Sequence, residues 1–164
     1  MYSNIKKYIL IISFTLNFFI GCYSFAKDDN KKIFPRFASI KFNEVNVRIG
    51  PSFKSNPILV FIKKGEPIKI TSQYDNWYQI IDFEGDTGWI HSSAISNKRY
   101  IIIMSDDLVN LYKSPNIDSK LVVVLSPNIR CQLHKCKDNW CEVEIMQYKA
   151  WVEKKYLWGI SDNE

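Results

Sequence analysis

The chain has little of what most functions need. No apolar run in its 164 residues is long enough to cross a bilayer. The candidate, Tyr8–Ile20, has 13 residues, and a spanning helix needs about 20. No stretch sustains a 3.6-residue period, so long amphipathic helices are not expected. Histidine occurs twice, at His91 and His134. A nucleophilic pair can be drawn from His134 with Cys131, Cys136 or Cys141, but neighbouring thiols in an oxidising compartment oxidise to a disulfide instead. The same residues fail as a zinc site. Strand alternation sends Cys131, Leu133 and Lys135 to one face and His134 and Cys136 to the other, so four ligands do not converge. Asp82, Glu84 and Asp86 form an acidic loop that lacks a full set of calcium ligands and reads as a solvated turn. No catalytic residues, metal or cofactor are therefore expected. Glycine is scarce while Lys, Ile and Asn abound, which reads as the codon bias of an AT-rich genome.

The N-terminus does carry a signal. "MYSNIKKYILIISFTLNFFIGCYSFA" places Lys6 and Lys7 before the short apolar run and ends on Ser24–Ala26. A charged start, an apolar middle and a small-residue end predict a helical signal peptide over 1–26, cleaved after Ala26. Export to the periplasm follows, with no stable membrane span after processing. Two other readings are an uncleaved anchor helix and a lipoprotein anchored through Cys22 in "FIGC". Cleavage leaves 20 basic and 17 acidic residues, a net charge of +3. So mild an excess calls for no nucleic-acid partner, and it suits weak attraction to anionic wall polymers. Residues 27–36, which include "KDDNKK", are expected to be a flexible leader.

Beyond Phe37 the texture is β-like. Short runs rich in Ile, Val, Phe and Tyr are punctuated by Gly, Pro, Asn and Asp every 8–12 residues. The order then repeats. Val45, Asn46, Pro51 and Ser55 fall on Val109, Asn110, Pro115 and Ser119 at an offset of 64. The tripeptide Asp-Asn-Trp recurs at 75 and 138, and Trp89 falls on Trp151. One shared tripeptide proves little, but co-linear landmarks over about 50 residues establish a duplication. The modules run over 37–96 and 100–160, joined by Asn97–Arg99. Units of about 60 residues have thin cores, and so short a linker predicts that the two pack together.

Five or six short strands per module suggest a small barrel. The first copy has Asn46, Val47, Arg48, Gly50 and Pro51, a turn at Lys64-Gly65, Asn76-Trp77, and Gly88, Trp89 and Ile90 near its end. This pattern closely resembles the bacterial SH3-like (SH3b) domain family, and the tandem behind a signal peptide resembles exported double-SH3-like proteins. The second copy departs from it, with Tyr112 for Arg48, Ser114 for Gly50 and Ala150 for Gly88. The resemblance implies an all-β fold, two small SH3-like barrels in tandem, and a non-catalytic binding role. Its implied partner is a cell-wall peptide such as that of peptidoglycan, or an envelope protein in a scaffold; the oligomeric state is left open. Eukaryotic SH3 domains carry a Pro and a Tyr that line a polyproline groove. Here those positions are His91 and Ala94, then Glu153 and Tyr156, so Pro-rich ligands are not expected.

Within such barrels Ile68, Ile70 and Ile80, and Cys131, Leu133 and Val143, are the natural inward set. Trp77, Tyr78, Trp89, Trp140, Trp151 and Tyr156 then exceed what two thin cores need. They are the candidate ligand platform, since rim aromatics offer area at low entropic cost. The other reading of the tryptophans is cover for the core edge; Trp158 is expected at the module interface or chain end. A two-residue turn at Asp138-Asn139 sets Cys136 opposite Cys141, at about 4.5 Å between Cα atoms, so these two are expected to form a disulfide. That register puts Cys131 opposite Met146, where it remains a free, buried thiol.

Overall fold

In each half of the protein, strands shorter than nine residues pair with neighbours close in sequence. The computed structural model describes residues 33–161 and 164. The signal peptide, with its processing at Ala26 or Cys22, and residues 27–32 of the leader lie outside the described residues. The first module contains β1 (Arg36–Ile40), β2 (Val45–Arg48), β3 (Pro57–Phe61), β4 (Pro67–Tyr74), β5 (Trp77–Ile81), β6 (Thr87–His91) and β7 (Ile95–Ser96). The second contains β8 (Tyr100–Ile103), β9 (Val109–Tyr112), β10 (Leu121–Leu125), β11 (Arg130–Lys137), β12 (Trp140–Ile145), β13 (Tyr148–Glu153) and β14 (Leu157–Trp158). A three-residue 3-10 turn precedes β7 and another precedes β14.

The sheet order is β3-β2-β6-β5-β4-β1-β7 in one module and β10-β9-β13-β12-β11-β8-β14 in the other. These are the same permutation, so the duplication is one of topology as well as letters. The protein is all-β, with two antiparallel sheets of seven strands rather than five or six. The surplus is the pair of two-residue strands after the 3-10 turns, too short to leave a periodic signal. Each sheet encloses its own apolar cluster. Ile68, Ile70, Ile80 and Val143 are fully buried, and Cys131 and Leu133 are nearly so. The inward set read from alternation is the observed one.

The repeated hairpin has the same form in both copies. Tyr74 pairs with Trp77, and Lys137 with Trp140. Asp75 and Asp138 both take φ of 50°, a left-handed conformation that short polar side chains tolerate. Cys136 faces Cys141 and is joined to it by a disulfide, with 4.0 Å between Cα atoms. Farther along, a bulge between Leu133 and Lys135 corrects the simple register. Leu133 pairs with Val143 and Gln132 with Glu144, which moves Cys131 out of line with Met146. The bulge also resets the alternation. Lys135 is exposed, its ammonium 5.5 Å over the Trp151 ring, while Cys136 packs against the core with Cys131 and Leu133.

Part of the expected leader belongs to the barrel. Phe34 packs on the first core, its ring 6.3 Å from that of Tyr78, and the Arg36 guanidinium lies 5.4 Å over the same ring. β1 therefore begins at Arg36, because Tyr78 offers these residues an apolar surface.

The two modules touch directly. Arg130 grips Glu66 with three hydrogen bonds of 2.6–3.2 Å. The buried Ser39 hydroxyl accepts from the Tyr100 N–H at 3.1 Å. Trp158 stands edge-on to Phe37 at 5.2 Å and to Phe83 at 5.6 Å, the interface position expected for it. Gly65 has φ of +83°, and a Cβ there would lie 3.2 Å from the Tyr100 ring, so the turn and the close approach both require glycine. Among the described residues no helix is long and apolar enough to cross a membrane.

Candidate functional site

One groove in the first module gathers side chains of mixed chemistry. The segment after β1 contributes Phe42 and Glu44, β2 contributes Arg48, and the β2–β3 loop contributes Phe53. Trp77, at the start of β5, and His91, at the end of β6, complete a space of about 210 Å³. The hairpin turn sets Trp77 opposite His91 across the β5–β6 pair. Loop and strand ends converge here because both lie at the same end of the sheet.

Three rings form the floor. Trp77 is edge-on to Phe53 at 4.8 Å and to His91 at 5.3 Å, and Phe53 lies 5.1 Å from His91. The Trp77 indole is largely covered, at 7% exposure, whereas Phe53 is 68% exposed. A phenyl ring left open beside two packed rings is available surface. Arg48 braces it, donating from Nη1 to the Ser55 carbonyl at 2.7 Å, with its guanidinium 6.0 Å from the Phe53 ring. His91 Nδ1 accepts the Ser93 N–H at 3.3 Å and lies 2.7 Å from the Ser93 hydroxyl. This fixes the imidazole as the cap of the 3-10 turn and leaves Nε2 as its donor. Aromatic faces, one guanidinium, one carboxylate and one imidazole donor suit an amphipathic peptide better than an apolar small molecule.

The matching positions of the second module have different chemistry. Tyr112 stands for Arg48, Ile117 for Phe53 and Glu153 for His91. Tyr112 and Trp140 meet edge-on at 5.9 Å. Glu153 is paired with Lys155 at 2.8 Å, and that ammonium sits 4.8 Å over Tyr156. Hydrogen bonds to Glu153 and to Tyr156 raise the Lys155 pKa.

The six aromatics chosen from sequence do not form one platform. Trp77 is in the groove. Tyr78 is 2% exposed in the first core and lines no part of the groove. Trp89 is half-buried on the outer side of β6, between the fully covered Gly88 and Ile90. Trp140 is half-buried beside Tyr112, Trp151 is buried beneath Lys135, and Tyr156 packs on the second core. Sequence reasoning missed Phe42, Glu44 and Phe53 as groove residues, and took Arg48 and His91 only as motif positions. The signal for Phe53 was an aromatic in a Pro-Ser-Phe-Lys-Ser loop, where no strand periodicity calls for one. Cys131 is free and buried, and burial pushes its thiol up to about 12, so it stays protonated and inert.

The profile of the bacterial SH3 domain matches residues 41–97 and 105–159. The chain belongs to that family. Both bacterial SH3 modules are thus accounted for, the divergent second copy included. Among curated proteins the chain is similar to the putative N-acetylmuramoyl-L-alanine amidase YrvJ of Bacillus subtilis (strain 168), with 22% identity over 144 residues. That match covers 76% of this chain and 28% of the amidase. Among solved structures it is similar to NlpC1 from Trichomonas vaginalis, at 10% identity and a TM-score of 0.34, over 77% of this chain and 46% of that one. An NlpC/P60 family protein from Bacillus cereus ATCC 10987 gives 13% identity and a TM-score of 0.32, over 74% and 55%. The chain spans less than a third of the amidase it matches.

Proposed function

We propose that this is an exported, non-catalytic binding protein whose first bacterial SH3 module holds a peptide of the cell envelope. A peptide of peptidoglycan is the leading ligand. The observation that carries the reading is the three-ring floor of Phe53, Trp77 and His91, flanked by Arg48 and Glu44. Family membership supports a binding role, and the likeness to a putative amidase supports a wall ligand. The disulfide suits an oxidising compartment such as the periplasm.

Retention of the protein, starting at Lys27, on purified sacculi tests this. The native chain should be retained, and Phe53→Ala should lose most of that retention. Phe53 is 68% exposed, so its removal leaves the fold intact. Trp77→Ala is the poorer probe, because removing a covered tryptophan costs about 3–5 kcal/mol of stability. A native chain that passes through sacculi unretained sinks the wall reading.

A second reading, a scaffold subunit, is favoured by the edge strand β3. It exposes Ile58 and Val60, with Ile62 just beyond, at 54%, 40% and 83%, and an open edge accepts another strand. Cross-linking in the periplasm would then recover one stoichiometric protein rather than wall fragments.

A further inference from the structure

Where the linker enters the second module, a cleft of about 490 Å³ opens between Asn97–Arg99 and β11. Lys98, Arg99, Gln132, His134 and Lys135 line it, and Glu164 stands inside. Arg99 holds the Glu164 carboxylate with both arms, Nη1 donating to Oε1 at 2.9 Å and Nη2 to Oε2 at 3.0 Å. The Ser161 N–H adds a third bond to Oε2 at 2.8 Å, and the Lys154 ammonium donates to the Glu164 backbone carbonyl. Arg99 is itself fixed. Nη2 donates to the Gly159 carbonyl at 2.6 Å, the Phe37 ring lies 6.0 Å from the guanidinium, and the Arg99 carbonyl accepts the Leu133 N–H at 2.9 Å.

A guanidinium oriented this way is a ready receptor for a planar carboxylate. The cleft also holds more positive charge than Glu164 neutralises. Lys98 makes no ion pair among the described residues, and the Lys135 side chain is 63% exposed, its ammonium 3.5 Å from Glu142. Arg99 Nε is buried without a partner, so the donors it offers a carboxylate are its two terminal nitrogens. The volume exceeds what one carboxylate fills. We propose that this linker cleft is a carboxylate-binding site, separate from the groove of the first module, and that Glu164 occupies it where a ligand carboxylate would sit. The ligand class is a flexible carboxylic acid, either a free small acid or an acidic residue of a peptide.

The test uses the chain from Lys27, native and with Glu164→Gln, which empties the fork of its carboxylate. Glutarate and the blocked peptide acetyl-Ala-Glu-Ala-amide serve as probes. The readouts are the NMR signals of Arg99 Nε–H and of the Lys98 and Leu133 amides. Glu164→Gln should bind at least one probe saturably and about tenfold more tightly than the native chain, as expected when the native fork is open about a tenth of the time. Binding of glutarate alone assigns a free acid, and binding of the peptide alone assigns a peptide source. Arg99→Lys keeps the charge but not the fork, so in the Glu164→Gln background it should weaken binding severalfold, measured at a temperature where denaturation shows both variants fully folded. Absence of saturable shifts with both probes in Glu164→Gln overturns the proposal. So does binding that Arg99→Lys leaves unchanged.

Discussion

Removing the Cys136–Cys141 disulfide should destabilise the second module by about 3 kcal/mol. The bond closes a loop of only six residues, for which the loss of unfolded-chain entropy corresponds to about 2 kcal/mol. Cys141 is fully buried in the second core, and trimming its sulfur removes apolar contact worth about 1 kcal/mol more. Cys136 is only partly buried, so serine is tolerated there. The variant is therefore Cys136→Ser with Cys141→Ala, compared with the native chain from Lys27 by urea unfolding. At about 2–4 °C per kcal/mol for a chain of this size, the melting temperature should fall by roughly 6–12 °C. Alkylation of the unfolded, unreduced native protein should label one thiol, Cys131. Three labelled thiols would refute the pairing. A stability change under about 0.5 kcal/mol would refute the claim that the hairpin constrains the unfolded chain.

Gly88→Ala places a methyl group 2.4 Å from Val47 Cγ1, and Val47 is 1% exposed, so overpacking should cost about 1–3 kcal/mol in denaturant unfolding. The second copy has alanine at this position with Leu111 where Val47 stands, so adding Val47→Leu should recover part of that loss. At the module interface, a double-mutant cycle of Glu66→Gln and Arg130→Gln should give a coupling of about 1 kcal/mol, and strict additivity would show that the pair holds nothing together. For Glu164, burial raises the pKa, but hydrogen bonds from Arg99 and Ser161 and the charges of Arg99 and Lys154 outweigh it and hold the group below its ordinary value. Its stabilising effect is therefore complete above the unfolded-state pKa and is lost as pH falls through the lower folded value. The Arg99 Nε signal, followed by NMR, should report that depressed midpoint.

Much of the fold was legible because its determinants are local. A period of two residues marks the strands, and the Asp-Asn turn fixes the hairpin register, so the Cys136–Cys141 pair followed from counting outward from the turn. The same counting failed a few residues later. The bulge between Leu133 and Lys135 is a backbone insertion that no residue type announces, yet it turns Cys136 toward the core and Lys135 away. Matching bulges interrupt both copies, between Ile70 and Ser72 and between Leu133 and Lys135, which marks them as part of the fold. The groove was less legible. Trp77 was visible as an aromatic after a turn, but its neighbours Phe53 and His91 come from a loop and a strand end, 24 residues before it and 14 after. The Glu66–Arg130 contact joins residues 64 apart, a distance over which a single sequence carries no pairing information.

The exchange of Tyr78 for Cys141 has a physical reason in what precedes each barrel. In the first copy Tyr78 is a core residue because Phe34 and Arg36 cover its ring from the strand entering the module. The corresponding positions in the second copy are Asn97 and Arg99, which belong to the linker. Arg99 is committed there to the Gly159 carbonyl and the Glu164 carboxylate, and Asn97, which has no ring, lines the same cleft. A tyrosine at position 141 would have no such cover. A disulfide secures the second hairpin covalently, while the opposed pair Gln73 and Tyr78 in the first is noncovalent. The linker thus passes over the hairpin with Lys98 exposed, where a tyrosine at position 141 would need an aromatic or aliphatic cover in its place.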